Sequence, residues 1–250
     1  MRIMKKITGT AALLLATSIL VAPVQSDARG SANGGHGQAG LSTLVASLPA
    51  QDLSAEEEIG LTKMREEEKL ARDVYQVLYE KWGARVFANI TQSEQRHMDA
   101  VKALLDKYNL PDPVTDLSVG AFTSPEMQEL FEKLVAQGEQ SLVEAFKVGA
   151  TIEDLDLYDL YELLEQTDNV DIQRVYENLA RGSRNHLRAF TTQLSLNGVT
   201  YEAQFLTQDQ VDDIITSPRE RGPAGSTPGS RGHGRQNGAM NGSRMLLNNQ

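Results

Sequence analysis

Phe87, Ile90, Glu94, His97, Val101 and Leu104 recur at intervals of three and four residues. That spacing places them on one buried face of an α-helix. Its two central slots hold a carboxylate and an imidazole instead of apolar groups. The segment upstream repeats the pattern with Leu61, Met64, Glu68, Ala71, Tyr75 and Leu78. A glutamate is rarely buried unless it is paired or coordinated. A fold that satisfies both stripes is therefore a helical bundle with charged groups at mid-height.

Two further segments behave alike. Leu142, Phe146, Gly149, Glu153, Asp156, Leu160 and Leu163 form one seam, and Val175, Leu179, Gly182, His186, Phe190 and Leu194 form another. Four inward faces thus offer Glu68, Glu94, His97, Glu153, Asp156 and His186. Each group has a plainer reading. A seam glutamate can snorkel to water, and a seam histidine is usually a hydrogen-bonded core residue. Taken together they cannot sit unpaired, because each bare buried charge costs several kcal/mol. They pair with Arg72, Arg184 or Arg188, or they surround cations. Oxygen and imidazole donors without thiolate suit iron or manganese better than structural zinc. Glu66 and Glu67 lie 160° and 100° behind Glu68 on the helical wheel and should face water or a neighbouring edge. Tyr75, two turns from Glu68 on the same face, is placed to hydrogen-bond a ligand carboxylate.

The helix signals are clear. Ser54 opens helix one with Glu57 three residues on, a capping box, and Gly83 ends it after Lys81. Helix two covers about 86–108 and stops at Asn109 and the prolines at 111 and 113. Ser124-Pro125 starts a shorter helix to Gln137. Ser141 caps helix three, to Gln166, and helix four covers 170–196. A last helical turn or two is expected at 207–215. No segment alternates with period two, so no sheet is expected. The fold class is all-α: a four-helix bundle with an extra short helix between bundle helices two and three.

The chain has 250 residues and no cysteine, which excludes disulfides and thiolate metal sites. Residues 51–216 carry 15 Lys and Arg against 32 Asp and Glu, a surface that repels nucleic acid and attracts cations. Arg2, Lys5 and Lys6 precede an apolar run from Ala11 to Ala22, then Ser26-Asp27-Ala28. This reads as a signal peptide over 1–28, because the run is shorter than the ~20 residues that span a bilayer. The mature protein is then periplasmic or secreted and free of the membrane. Residues 29–52 read as a flexible Gly-rich leader, 53–216 as the bundle and 217–250 as a disordered Gly/Ser/Arg-rich tail. Two copies could pair as a homodimer.

Several runs are long enough to carry a resemblance. Met64-Arg65-Glu66-Glu67-Glu68-Lys69-Leu70-Ala71-Arg72-Asp73-Val74-Tyr75, Ser93 to Met98, Gly149 to Glu153 and Arg181 to Phe190 resemble the ferritin-like "domain of unknown function 2202" family, over roughly 53–215. Glu68 with Tyr75, and Glu94 with His97, also look like the first two helices of rubrerythrin-type proteins. The resemblance implies a ferritin-like four-helix bundle with a carboxylate-bridged di-iron centre. The superfamily pattern on helix four is Glu-x-x-His, and here Ser183 stands at the Glu position before His186. Either Asp156 compensates from helix three, or one ion is weakly held, or the site takes a single ion.

The expected function is metal binding, with two ferrous ions (or manganese) acting on oxygen or peroxide as a ferroxidase or peroxidase. Without a cysteine-based redox module, a complete rubrerythrin cycle is not expected. Two alternatives stand beside it. One is a non-catalytic metal-sequestering protein, and the other is a helical interaction module with a salt-bridged polar core.

Overall fold

The computed structural model describes residues 38–221, in seven helices and no strand. These are α1 (Gln38–Ser47), α2 (Ala55–Trp82), α3 (Arg85–Lys107), α4 (Pro125–Gly138), α5 (Leu142–Gln166), α6 (Val170–Leu196) and α7 (Gln208–Thr216). The signal peptide expected over 1–28, the leader up to residue 37 and the tail from residue 222 lie outside the described residues. None of the described helices is long and apolar enough to cross a membrane.

The caps form as the residues dictate. Ser54 accepts the Glu57 N–H while the Glu57 carboxylate accepts the Ser54 N–H, closing both ends of the capping box. Gly83 takes φ 65° and ends α2, a conformation that strains any residue with a Cβ. The short turn that follows folds α3 back on α2. Likewise α5 and α6 form a second hairpin, and α2 packs on α5 while α3 packs on α6. The four long helices thus make the bundle, with α4 as the extra short helix laid against α2 and α5.

The long connection from α3 to α5 is pinned from inside. Asp73 is fully buried and accepts the Gly120 N–H, while Lys69 and Arg72 bond both Asp73 and the carbonyls of Ser118 and Leu117. The segment before α7 is held by Asp154, whose carboxylate accepts the Tyr201 hydroxyl and three backbone N–H groups.

Two stretches depart from the boundaries expected above. Residues 38–47 are helical rather than part of a flexible leader, and α1 packs on α3 and α6 with Val45 buried. Residues 217–221 run back over α6, where Glu220 meets Arg184 and Arg188. Both segments cover apolar or charged surface of the bundle, which offsets the entropy of ordering them.

Tyr75, Phe87, Phe146 and Phe190 fill one end of the bundle, with ring centroids 5.2–6.1 Å apart. Gly149 admits this cluster, since a Cβ there would stand 2.5 Å from the Phe190 ring. Leu61, Met64, Val101, Leu104, Leu160, Val175 and Leu179 fill the other end. The polar residues of the four seams lie between these two apolar plugs.

Candidate metal centre

The bundle places one polar layer where its four stripes change from oil to acid. Glu68 comes from α2, Glu94 and His97 from α3, Glu153 from α5 and His186 from α6, and all five are buried. Glu94 and His97 share a face because they are one helical turn apart.

Glu94 stands at the centre. Its Oε2 lies 2.8 Å from His97 Nδ1, and its Oε1 lies 2.8 Å from His186 Nδ1. Glu68 Oε2 is 3.2 Å from His97 Nδ1, and Glu153 Oε2 is 3.4 Å from His186 Nδ1. The layer resolves into two groups, Glu68–Glu94–His97 and Glu94–Glu153–His186, each able to offer three donor atoms within 4.8 Å of one another. The imidazole planes face each other with centroids 5.6 Å apart. On the outer side Tyr75 donates its hydroxyl proton to Glu153 Oε1 at 2.6 Å. Tyr75 thus stands where the helical wheel puts it.

His97 Nδ1 and Glu68 Oε2 form a hydrogen bond, but the approaches around His186 are close without being one. Glu68 Oε1, Glu94 Oε1, Glu153 Oε2 and His186 Nδ1 are buried with no hydrogen-bond partner. Glu94 Oε1 and His186 Nδ1 are 2.8 Å apart, yet the imidazole does not aim a proton at the oxygen. Such atoms incur the full desolvation penalty of an unmet polar group, about 1–3 kcal/mol each and more when charged. Lone pairs that converge on a shared space without bonding each other fit a divalent cation. The donor set of carboxylate oxygen and imidazole nitrogen suits iron or manganese.

The electrostatics agree. Burial raises the Glu68 carboxyl to about 8, against the pull of the His97 charge. Burial and the charges of Glu153, Glu68, Glu67 and Glu94 push Asp156 well above the usual carboxylate range. Glu153 is raised by burial and by Glu94, with His186 and Tyr75 opposing. Burial also disfavours charge on Glu94 and the histidines, but here attraction wins. His186 and His97 hold Glu94 well below the ordinary value, and the carboxylates lift His186 to about 9. Without a metal the layer holds protons, the nearest available positive charge.

A salt-bridged core is not what the arginines build. Arg72 bonds Asp73, Gln95 and the Leu117 carbonyl, while Arg184 and Arg188 bond Glu220. None of the three bonds a carboxylate of the layer.

The other expected residues fall nearby. Asp156 is buried one turn beyond Glu153, outside both groups, with its Oδ2 unpaired. Ser183 is buried but turns back to the Leu179 carbonyl at 3.3 Å and offers the layer no acid. Glu67 is only 2 % exposed, not turned to water. It packs toward Asp159 on α5, with Lys63 2.6 Å from Asp159 and 3.4 Å from Glu67. The 100° offset from Glu68 directs it at the neighbouring helix, and the Lys63 at position i−4 was its signal in the sequence. Glu66 is half-buried and stays outside.

Comparison with known proteins gives a consistent picture of kinship. The profile of a family described as "Uncharacterized protein domain (DUF2202)" matches residues 57–218, the stretch that carries every residue of the layer. Uncharacterized protein MJ0754 of Methanocaldococcus jannaschii is 56% identical over 178 residues, covering 71% of this chain and 96% of that protein. The crystal structure of that hypothetical protein superposes with a TM-score of 0.69, over 70% of this chain and 99% of the other.

Proposed function

The chain belongs to the DUF2202 family, and on that footing we propose that it is an exported, ferritin-like metalloprotein with two divalent ions, iron or manganese, at its buried layer, acting as an oxidoreductase on oxygen or peroxide. The observation that carries this reading is the pair of carboxylate–imidazole groups joined through Glu94. One ion would be held by Glu68, Glu94 and His97, the other by Glu94, Glu153 and His186. Bound iron would supply the one-electron chemistry that reduces oxygen or peroxide.

The chain's own residues do the rest. Glu94 holds the two halves together by presenting one oxygen to each. Tyr75 fixes Glu153 by occupying Oε1 and leaves Oε2 free to face inward. The aromatic cluster beside Tyr75 excludes water from one end of the layer, and the aliphatic plug excludes it from the other. His97 and His186 keep 6% and 8% exposure and, among the described residues, border a cavity.

The test is anaerobic titration of the metal-free full chain with ferrous iron, followed by elemental analysis and peroxide addition. The expected result is about two ions per chain and peroxide-dependent oxidation of the iron. Binding without peroxide turnover supports sequestration instead, and no bound metal overturns the reading.

A further inference from the structure

The two histidines face the layer with Nδ1 and something else with their outer edges. His97 turns Cε1 and Nε2 toward Gly182, where an added Cβ would stand 2.5 Å from both atoms. Beyond Gly182 lies a cavity of about 620 Å³ between α3 and α6, lined at its base by His97 and His186. Its size falls within the 300–1,000 Å³ of small-molecule sites.

The walls are of two kinds. Val86, Ile90, Ala100 and Ala189 are apolar, while Arg96 and Arg181 reach in from opposite helices. Glu220 also borders the cavity, but its carboxylate is engaged by Arg184 at 2.7 and 2.6 Å and by Arg188 at 3.1 Å. Among the described residues, Arg96 is exposed, while Arg181 makes no hydrogen bond or close ion pair and is attracted from farther off by Glu220 and Glu177. Arg181 is nevertheless half-buried. A chain of net charge −10 repels anions in general, so a cavity lined by Arg96, Arg181, Arg188 and Arg219 against the single acid Glu220 makes a local exception. The planar guanidinium forks match carboxylate or phosphate oxygens in pairs.

We propose that this cavity binds a small amphipathic organic anion, its carboxylate or phosphate head on Arg96 and Arg181 and its apolar body against Val86, Ile90 and Ala189, beside the outer edges of His97 and His186. Calling that anion a substrate rests on the function proposed above; its binding does not. The cavity then names a class of molecule to be presented at the metal centre, besides oxygen or peroxide.

The experiment is calorimetric titration of the full chain, metal-free and iron-loaded, with octanoate, octyl phosphate and octanol. The expected result is saturable binding of at least one of the two anions, with octanol at least tenfold weaker. Arg181→Gln and Arg96→Gln each weaken the anion at least tenfold, while Arg174→Gln, exposed on the same helix and outside the cavity, leaves it unchanged. All three variants replace charge at partly or fully exposed positions, and circular dichroism checks that they fold. Octanol binding as tightly as the anions, Arg variants that bind like the parent, or no binding of either anion each overturns the proposal. Iron stoichiometry is read separately: a chain that binds octanoate but no iron keeps this inference and loses the oxidoreductase, and the converse result does the opposite.

Discussion

Glu94 on α3 and His186 on α6 meet across the bundle at 2.8 Å, although they are far apart in sequence and on helices that are not consecutive. Since the other oxygen of Glu94 faces His97 at the same distance, one side chain serves both halves of the layer. Glu94→Ala should therefore abolish metal uptake altogether. His97→Ala should remove about one ion, and Glu66→Ala, outside the layer, should remove none. Equilibrium dialysis with elemental analysis reads all three. Equal losses in Glu66→Ala and Glu94→Ala would point to surface binding.

The Tyr75 hydroxyl is fully buried against Glu153. Tyr75→Phe leaves Glu153 Oε1 without its donor, an unmet buried acceptor worth about 1–3 kcal/mol. The variant should melt several degrees lower when metal-free. Its metal affinity should fall about 10–100-fold, as for other groups that orient ligands. An unchanged affinity with a lowered melting temperature would confine Tyr75 to packing.

A methyl group added at Gly182 on α6 would strike the His97 imidazole. Gly182→Ala suits a helix interior by propensity, with alanine favoured by about 1 kcal/mol. Yet its Cβ would displace the His97 ring. The expected outcome is a folded, helical protein with reduced metal content, seen by circular dichroism beside metal analysis. Full metal content would show that His97 can shift and still serve.

Asp156 is surrounded by other acids and has no cation against it. Its folded pKa lies above that of the unfolded chain, so the metal-free fold loses stability as pH rises from the unfolded pKa toward the native one, and the loss levels off above it. Asp156→Asn should raise the stability of the metal-free protein at pH 7, by on the order of 1 kcal/mol. Because Asp156 lies outside both donor groups, metal content should stay at the parental level. A sharp loss of metal would make Asp156 a ligand after all.

Glu57 gives the opposite dependence. Burial raises its pKa, but the Thr167 hydroxyl and the Ser54 N–H and hydroxyl outweigh that and hold it below its usual value. A depressed acid stabilises the fold above its unfolded pKa and loses that contribution as pH falls through the native one. Denaturant melts at falling pH should therefore lose stability in the acid range. Glu57→Gln should flatten that loss and destabilise the neutral protein by about 0.5–2 kcal/mol, the scale of a helix cap. A parallel pH profile in parent and variant would remove Glu57 from the account.

The four long helices were legible because their apolar residues keep a three-four period and end at Ser54, Gly83, Ser141 and Asn197. The inward turn of the five layer residues and of Asp156 was legible for a related reason: a charged group inside such a period has nowhere to go but inward. That Asp156 falls outside both donor groups was not legible. What a helical wheel cannot give is distance across the bundle. It shows that Glu94 faces inward but not that it meets His186, and it separates Glu67 from Glu68 without showing that α5 closes over both. Helix α1 was hidden by the neighbouring glycines, although Leu41, Leu44, Val45 and Leu48 carry its period. Arg96 and Arg181 sit off the seams, where nothing in a single sequence separates an arginine over a cavity from one in water.

Ser183 gives the polar layer a lopsided outline. Oxygens crowd in from α2, α3 and α5, while α6 answers with one imidazole and a hydroxyl tied to its own backbone. Gly182, next to Ser183, borders the cavity between α3 and α6, whereas Ser183 is buried and does not. Among the described residues, α6 is thus the one wall of the layer without an acid, and negative charge is thinnest on the side that the cavity adjoins.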